Sequence, residues 1–219
     1  MSKIVIDKSE LELCRTLHET DAYINKTLEL IKSSCNEINR YRLSQGYYKK
    51  FKEEYVPIYN YLVRRYGSDN NVLLKYVGIG NQGYDAEIIV NGKPEEIEIA
   101  YLILGEESKE RSKEIIDKGC SFRYGKPEEK LNEYKELISI TATKKSRKFY
   151  CDTTLVLYFP CDDMYPGDYL LPEKEFENII SGLKQMPYNT NRVDFFIPEK
   201  QVIDYRGERV LPSEIYKIK

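Results

Sequence analysis

Tryptophan is absent from the 219-residue chain, and histidine occurs once, as His18. Histidine is the usual general base near neutral pH, so Ser/His, Cys/His and His-metal mechanisms would all have to run through that one residue. His18 sits in Leu17-His18-Glu19-Thr20-Asp21, a helix-end context, and is not expected to be catalytic. Carboxylates, lysines or a metal must carry any chemistry. Five cysteines, an odd number with no Cys-x-x-Cys pair, argue for a reducing compartment and against structural zinc. They are expected to serve as small buried hydrophobes. No apolar run approaches the roughly 18 residues of a spanning helix. The start, Met1 to Asp7, lacks the apolar core of a signal peptide, so the chain reads as cytoplasmic with no membrane partner. A basic excess is missing too: 34 basic residues face 36 acidic ones, for a net charge of -2. Any nucleic-acid contact must therefore come from a local patch.

Tyrosine is abundant, at 20 residues, and some are expected at the surface or an interface. The most ordered pattern lies between Gly80 and Leu102. Two runs rich in β-branched residues, Tyr84–Val90 and Glu95–Leu102, flank Asn91-Gly92-Lys93-Pro94. Asn-Gly between such runs predicts a hairpin, because both residues tolerate the positive φ of a tight reversal. Strand period places Glu96, Glu98 and Ala100 on one face and Ile97, Ile99 and Tyr101 on the other. Asp85 and Glu87 give the first strand a matching acidic pair. Carboxylates gathered this way call for cations, from Lys/Arg or from a metal.

Upstream, the pattern is helical. A short strand is expected at Lys3–Ile6, then a helix over Glu10–Thr20 capped by Asp7 or Ser9. Ile24, Leu28, Ile31, Cys35 and Ile38 form one apolar stripe on a longer helix. That stripe suits packing within its own domain or a homodimer seam between N-terminal helices. Gly46 breaks the pattern, and Tyr47–Tyr66 resumes it with Phe51, Tyr55, Ile58 and Leu62. Pro57 removes a backbone donor and crowds the carbonyl of Glu53, predicting a kink or fresh start there. Glu54 lies at the border of the apolar stripe.

Downstream, Val72–Val77 reads as a buried strand, Gly105–Lys118 as a helix, and Gly119–Lys126 as a loop or short strand. Pro127 opens a helix reaching about Lys148, with Leu131, Tyr134, Ile138, Thr141 and Lys145 on its inner face. Thr154–Phe159 is a strand covered on both sides. A helix at Glu173–Met186 and strands near Val193–Ile197 and Gln201–Tyr205 complete the chain. The expected fold is α/β: a central mixed sheet of about four to five strands flanked by helices. Residues 1–46 form an N-terminal helical arm and 47–219 the α/β domain.

Over roughly residues 47–160 the order of elements resembles the PD-(D/E)xK, or restriction-endonuclease-like, superfamily. A helix carries Glu53-Glu54-Tyr55-Val56-Pro57, then come a strand ending in an Asp, matched to Asp85, a turn, a strand bearing Glu98, a lysine-bearing helix and a buried strand. The resemblance implies a metal-dependent nuclease acting on DNA, with Mg²⁺ (or Mn²⁺) held by Asp85 and Glu98 and supported by Glu54. Glu96 is the substitute ligand if the register slips by two. The superfamily's lysine belongs two positions after the second acid, where this chain has Ala100. Lys145 is the candidate for a displaced catalytic lysine, with Lys144 and Lys148 behind it. The alternative implied is an inactive relative that binds nucleic acid or a protein partner. The chemistry stands without the name: a carboxylate-bound Mg²⁺ activates water and stabilises phosphate charge with no histidine.

Overall fold

A computed structural model describes residues 6–67, 69, 71–78, 83–103, 105–120, 127–150, 152–160, 171–204 and 207–219. Most of the strand expected at Lys3–Ile6 and most of the loop at Gly119–Lys126 lie outside these residues. The chain divides into two compact units, Met1–Ile99 with Gly105–Arg123, and Ala100–Leu104 with Tyr124–Lys219.

The first unit begins with a correction. The expected helix at Glu10–Thr20 is only the single turn α1 (Lys8–Leu11), capped by Asp7, whose Oδ1 accepts the Ser9 amide at 3.0 Å. A two-residue strand, β1 (Arg15–Thr16), follows, and a new helix α2 (Leu17–Lys32) starts at Thr16. Thr16 Oγ1 accepts the Glu19 amide while Glu19 accepts the Thr16 amide, a reciprocal capping box. Thr16-Leu17-His18-Glu19 thus supplies a start signal inside what the apolar spacing alone reads as a continuing helix.

The apolar stripe is also cut short. Ile24 and Ile31 are buried, but α2 ends at Lys32 and a separate helix α3 (Cys35–Arg42) turns Cys35 to solvent. Glu37 is buried instead, accepting from the Tyr48 hydroxyl and pairing with Arg40 at 3.3 Å. Cys14 and Cys120 are exposed like Cys35, so these three are not core hydrophobes; Cys151 and Cys161 lie outside the described residues.

Gly46, at φ 56°, separates α3 from a helical run made of α4 (Tyr47–Lys50), a π-helical turn (Phe51–Tyr55) and α5 (Val56–Tyr66). The wide turn sits where Pro57 was expected to disturb the helix. Pro57 has no amide to give the Glu53 carbonyl, and the Val56 amide reaches back to Phe51 instead. Tyr48, Phe51, Tyr55, Ile58, Tyr61 and Leu62 are almost wholly buried along this run.

These side chains pack on an antiparallel sheet with strand order β1, β2 (Val72–Tyr76), β3 (Ala86–Val90) and β4 (Lys93–Tyr101). The hairpin forms as expected, with Asn91 at φ 51° and Gly92 at φ 78°. Tyr55 meets Tyr23 and Tyr76 edge-on at 5.7 and 5.8 Å. Such contacts contribute about 0.5–1.5 kcal/mol each beyond area burial. Much of the tyrosine excess is therefore core. Helix α6 (Gly105–Lys118) also belongs to this unit and touches α3.

In the second unit, α7 (Pro127–Ser146) packs Tyr134, Ile138 and Ala142 into a core with Leu155, Leu157 and Phe159. Strand β5 (Thr154–Tyr158) is buried along its whole length, as an apolar run covered on both sides should be. The Leu102 amide donates to the Tyr158 carbonyl at 2.8 Å, so the end of β4 lies beside β5. After α8 (Glu173–Lys184), β6 (Arg192–Ile197) pairs parallel to β5. A separate hairpin, β7 (Lys200–Asp204) with β8 (Gly207–Leu211), precedes β9 (Glu214–Lys217), which pairs antiparallel to β6. The class is α/β with mixed pairing and flanking helices, and the strands outnumber the four to five expected. Among the described residues no helix is long and apolar enough to cross a membrane.

Candidate functional site

Asp85 stands one residue before β3 and knits three strand ends together. Its amide donates to the Ile97 carbonyl at 2.8 Å, and its carbonyl accepts the Val77 amide at 2.9 Å. Its side chain completes the set, with Oδ2 accepting the Ile99 amide at 2.9 Å. The carboxylate takes the place a strand carbonyl would fill. It anchors to the residue after Glu98, beyond the last register pair, Ala86 with Ile97.

Glu98 is only 7% exposed, unlike the solvated position that a charged strand face ordinarily offers. Glu96 is half-buried and pairs across the ladder with Glu87, which in turn lies opposite Lys75. Glu87, Glu96 and Glu98 thus follow one acidic face, as the period of two requires.

Glu54 belongs to a different grouping. It sits in the π-helical turn, where Oε1 lies 2.6 Å from Lys50 Nζ and Oε2 accepts from the Tyr76 hydroxyl. Tyr76 is buried, and burial, then Glu54, then Asp85 and Glu12 hold its hydroxyl far above the usual tyrosine range. It is a fixed proton donor to Glu54. Gly78 runs close by. A Cβ there would overlap the Tyr76 hydroxyl and come within 2.8 Å of Glu54 Oε2.

Strand pairing puts Tyr76, Ala86 and Ile97 on one face, so Glu98 projects from the other. Asp85 is tied to the residue after Glu98, and Glu54 is bound to Lys50 and to Tyr76, whose hydroxyl also feels the Asp85 charge. Among the described residues no group of three or more His, Cys, Asp and Glu is arranged to hold a metal ion.

Lys145 lies in the second unit, half-buried in the last turn of α7, while Lys144 and Lys148 are exposed. Its inward placement follows the spacing from Ile138, although Ala142 and Ser146 take the buried positions. Ala100 is buried in the second unit's core and offers no cation.

Sequence reasoning missed Lys50, Tyr76 and Gly78. The spacing of Lys50 and Glu54, four apart on a helix, was a readable signal. Tyr76 carried none, because a tyrosine in an apolar strand looks like any core aromatic until a helix carboxylate meets it. Chemically, two hard carboxylates suit a divalent cation that keeps several waters, and the Lys50–Glu54–Tyr76 set suits a held negative charge beside a proton donor. Comparison with known proteins finds no matching family model, no matching curated protein and no matching solved structure.

Proposed function

We propose that the chain is a metal-dependent nuclease that hydrolyses phosphodiester bonds in DNA. The observation that supports this reading is the bond from the Ile99 amide to the Asp85 carboxylate, which ties Asp85 to the residue next to the buried Glu98. Asp85 and Glu98 would hold Mg²⁺ or Mn²⁺, which when bound supplies an activated water and charge stabilisation on the phosphate. The donor set fits such an ion, because Mg²⁺ takes few protein oxygens and retains waters. Asp85 is positioned by the Ile99 amide, which fixes one carboxylate oxygen and orients the other. The resemblance alone assigns to Lys145 the lysine's role of stabilising charge that grows on the phosphate. Glu54, held by Lys50 and the Tyr76 hydroxyl, would be the supporting ligand.

A second reading has its own observation. Ala100 stands buried where a resident lysine would project, which favours a relative that binds nucleic acid without cutting it. Incubating supercoiled plasmid with the protein, with and without Mg²⁺ or Mn²⁺, separates the two. Metal-dependent nicking that vanishes in Asp85→Asn and in Glu98→Gln is expected. Binding without nicking at any metal concentration would replace the nuclease by the binding-only protein. The melting temperature should also rise with millimolar metal in the wild type, by mass action, and stay flat in the double variant.

A further inference from the structure

Phe149, three residues beyond the end of α7, is 81% exposed. It is not a loose side chain on a wandering loop. Phe149 bridges Asn189, and the next amide, that of Tyr150, donates to the Asn189 carbonyl at 3.1 Å. Asn189 Nδ2 in turn donates to the Ser146 carbonyl at 3.2 Å, and Thr153 closes the turn on the Tyr150 carbonyl at 2.7 Å. Tyr150, one residue on, points inward and is buried, so strand alternation turns Phe149 outward. The ring is held out to solvent from a hydrogen-bonded backbone.

Cations precede it in sequence. Lys144, in the last turn of α7, and Arg147 and Lys148, in the turn that follows it, are all exposed. Among the described residues no ion pair engages Lys144 or Arg147. Complementing the helix dipole explains lysines in a last turn, but it does not explain a fixed, solvated phenylalanine beside them. Aromatic faces flanked by cations are the arrangement that single-stranded nucleic acid uses, the ring stacking a base while the cations track phosphates. A duplex offers no unstacked base to Phe149. A lipid surface would meet cations with, among the described residues of this end of α7, Ile140 and Phe149 to insert.

We infer that the end of α7 is a docking surface for single-stranded nucleic acid, with Phe149 as the base platform and Lys144, Arg147 and Lys148 as the phosphate contacts. It shares the polynucleotide with the function proposed above and does not use the carboxylates.

The test is fluorescence anisotropy of a labelled oligothymidylate with the full chain in EDTA, which removes cleavage. Three phosphate contacts should give a slope of about −2 in log K against log salt. Phe149→Ala should weaken binding roughly tenfold, Phe149→Trp should retain it, and Phe149→Leu, apolar but unable to stack, should behave like alanine. Replacing Lys144, Arg147 and Lys148 together by glutamine should flatten the slope. Circular dichroism melting of each variant separates lost folding from lost binding. An inactive protein that still binds in this way would remove the nuclease and leave the patch. No binding at low salt, or equal binding by wild type, Phe149→Ala and the triple variant, overturns the patch and leaves the carboxylate pair. Binding to phosphatidylserine vesicles that survives Phe149→Leu while the oligonucleotide is ignored overturns it in favour of a membrane.

Discussion

Asp85 accepts the Ile99 amide through Oδ2 at 2.9 Å, so a carboxylate rather than a carbonyl closes the ladder beside Glu98. Removing that acceptor leaves a part-buried amide without its partner. Asp85→Ala is therefore expected to lose about 1–3 kcal/mol of stability, and Asp85→Asn, which keeps an oxygen there, less than half as much. Urea denaturation of the two variants checks this. Equal losses would show that charge, not the hydrogen bond, is what the position supplies.

The buried tyrosines predict a marked alkaline limit. Burial pushes Tyr23, Tyr59 and Tyr188 up to about 12, and Tyr76 beyond them, from a usual value of 10.0. The unfolded chain gives up these phenolic protons near pH 10 and the folded chain keeps them. Above pH 10 the folded state thus binds more protons, and stability falls as pH rises. The urea midpoint should be steady up to pH 10 and drop between pH 10 and about 12. Tyr76→Phe should flatten part of that drop while lowering the midpoint at neutral pH, because Glu54 loses its donor. Tyrosinate absorbance that appears before unfolding would contradict the assignment.

Gly78 is required by its neighbours. Gly78→Ala forces a methyl group onto the Tyr76 hydroxyl and towards Glu54, at an expected cost of about 1–3 kcal/mol. The same substitution in a Tyr76→Phe background should cost less, because one colliding atom is gone. A double-mutant cycle measures the coupling. Additive effects would mean that the strain lies in the backbone instead.

Lys145 is the test of the displaced lysine. Lys145→Ala should abolish plasmid nicking yet preserve the metal-induced rise in melting temperature, since it removes a transition-state contact and no ligand. Lys144→Ala, about 100° round the helix, should cost far less. Adding Ala100→Lys to Lys145→Ala is expected to restore some activity. Full nicking by Lys145→Ala would assign the role elsewhere, and Lys50, 2.6 Å from Glu54, is then the next lysine to change.

What the sequence determined by itself is what depends on neighbours along the chain. Asn91-Gly92 makes the reversal because both residues accept positive φ, and Pro57 disturbs its helix because it lacks an amide. The alternation of Glu96, Ile97, Glu98 and Ile99 assigns strand faces, and Thr154–Tyr158 is buried on both sides because nothing in it is charged. The single helix read across Glu10–Thr20 failed over an equally local signal, the Thr16–Glu19 capping box, which outweighs the apolar spacing. Tertiary structure alone decided the rest. It buried Glu98, joined Asp85 to the Ile99 amide, and gave Glu54 to Tyr76 across 22 positions of chain. It turned Cys35 outward by ending α2 at Lys32, and left Phe149 in solvent by bridging it to Asn189. Each of these depends on which distant atom completes a hydrogen bond or covers a surface, and residue spacing carries no record of that.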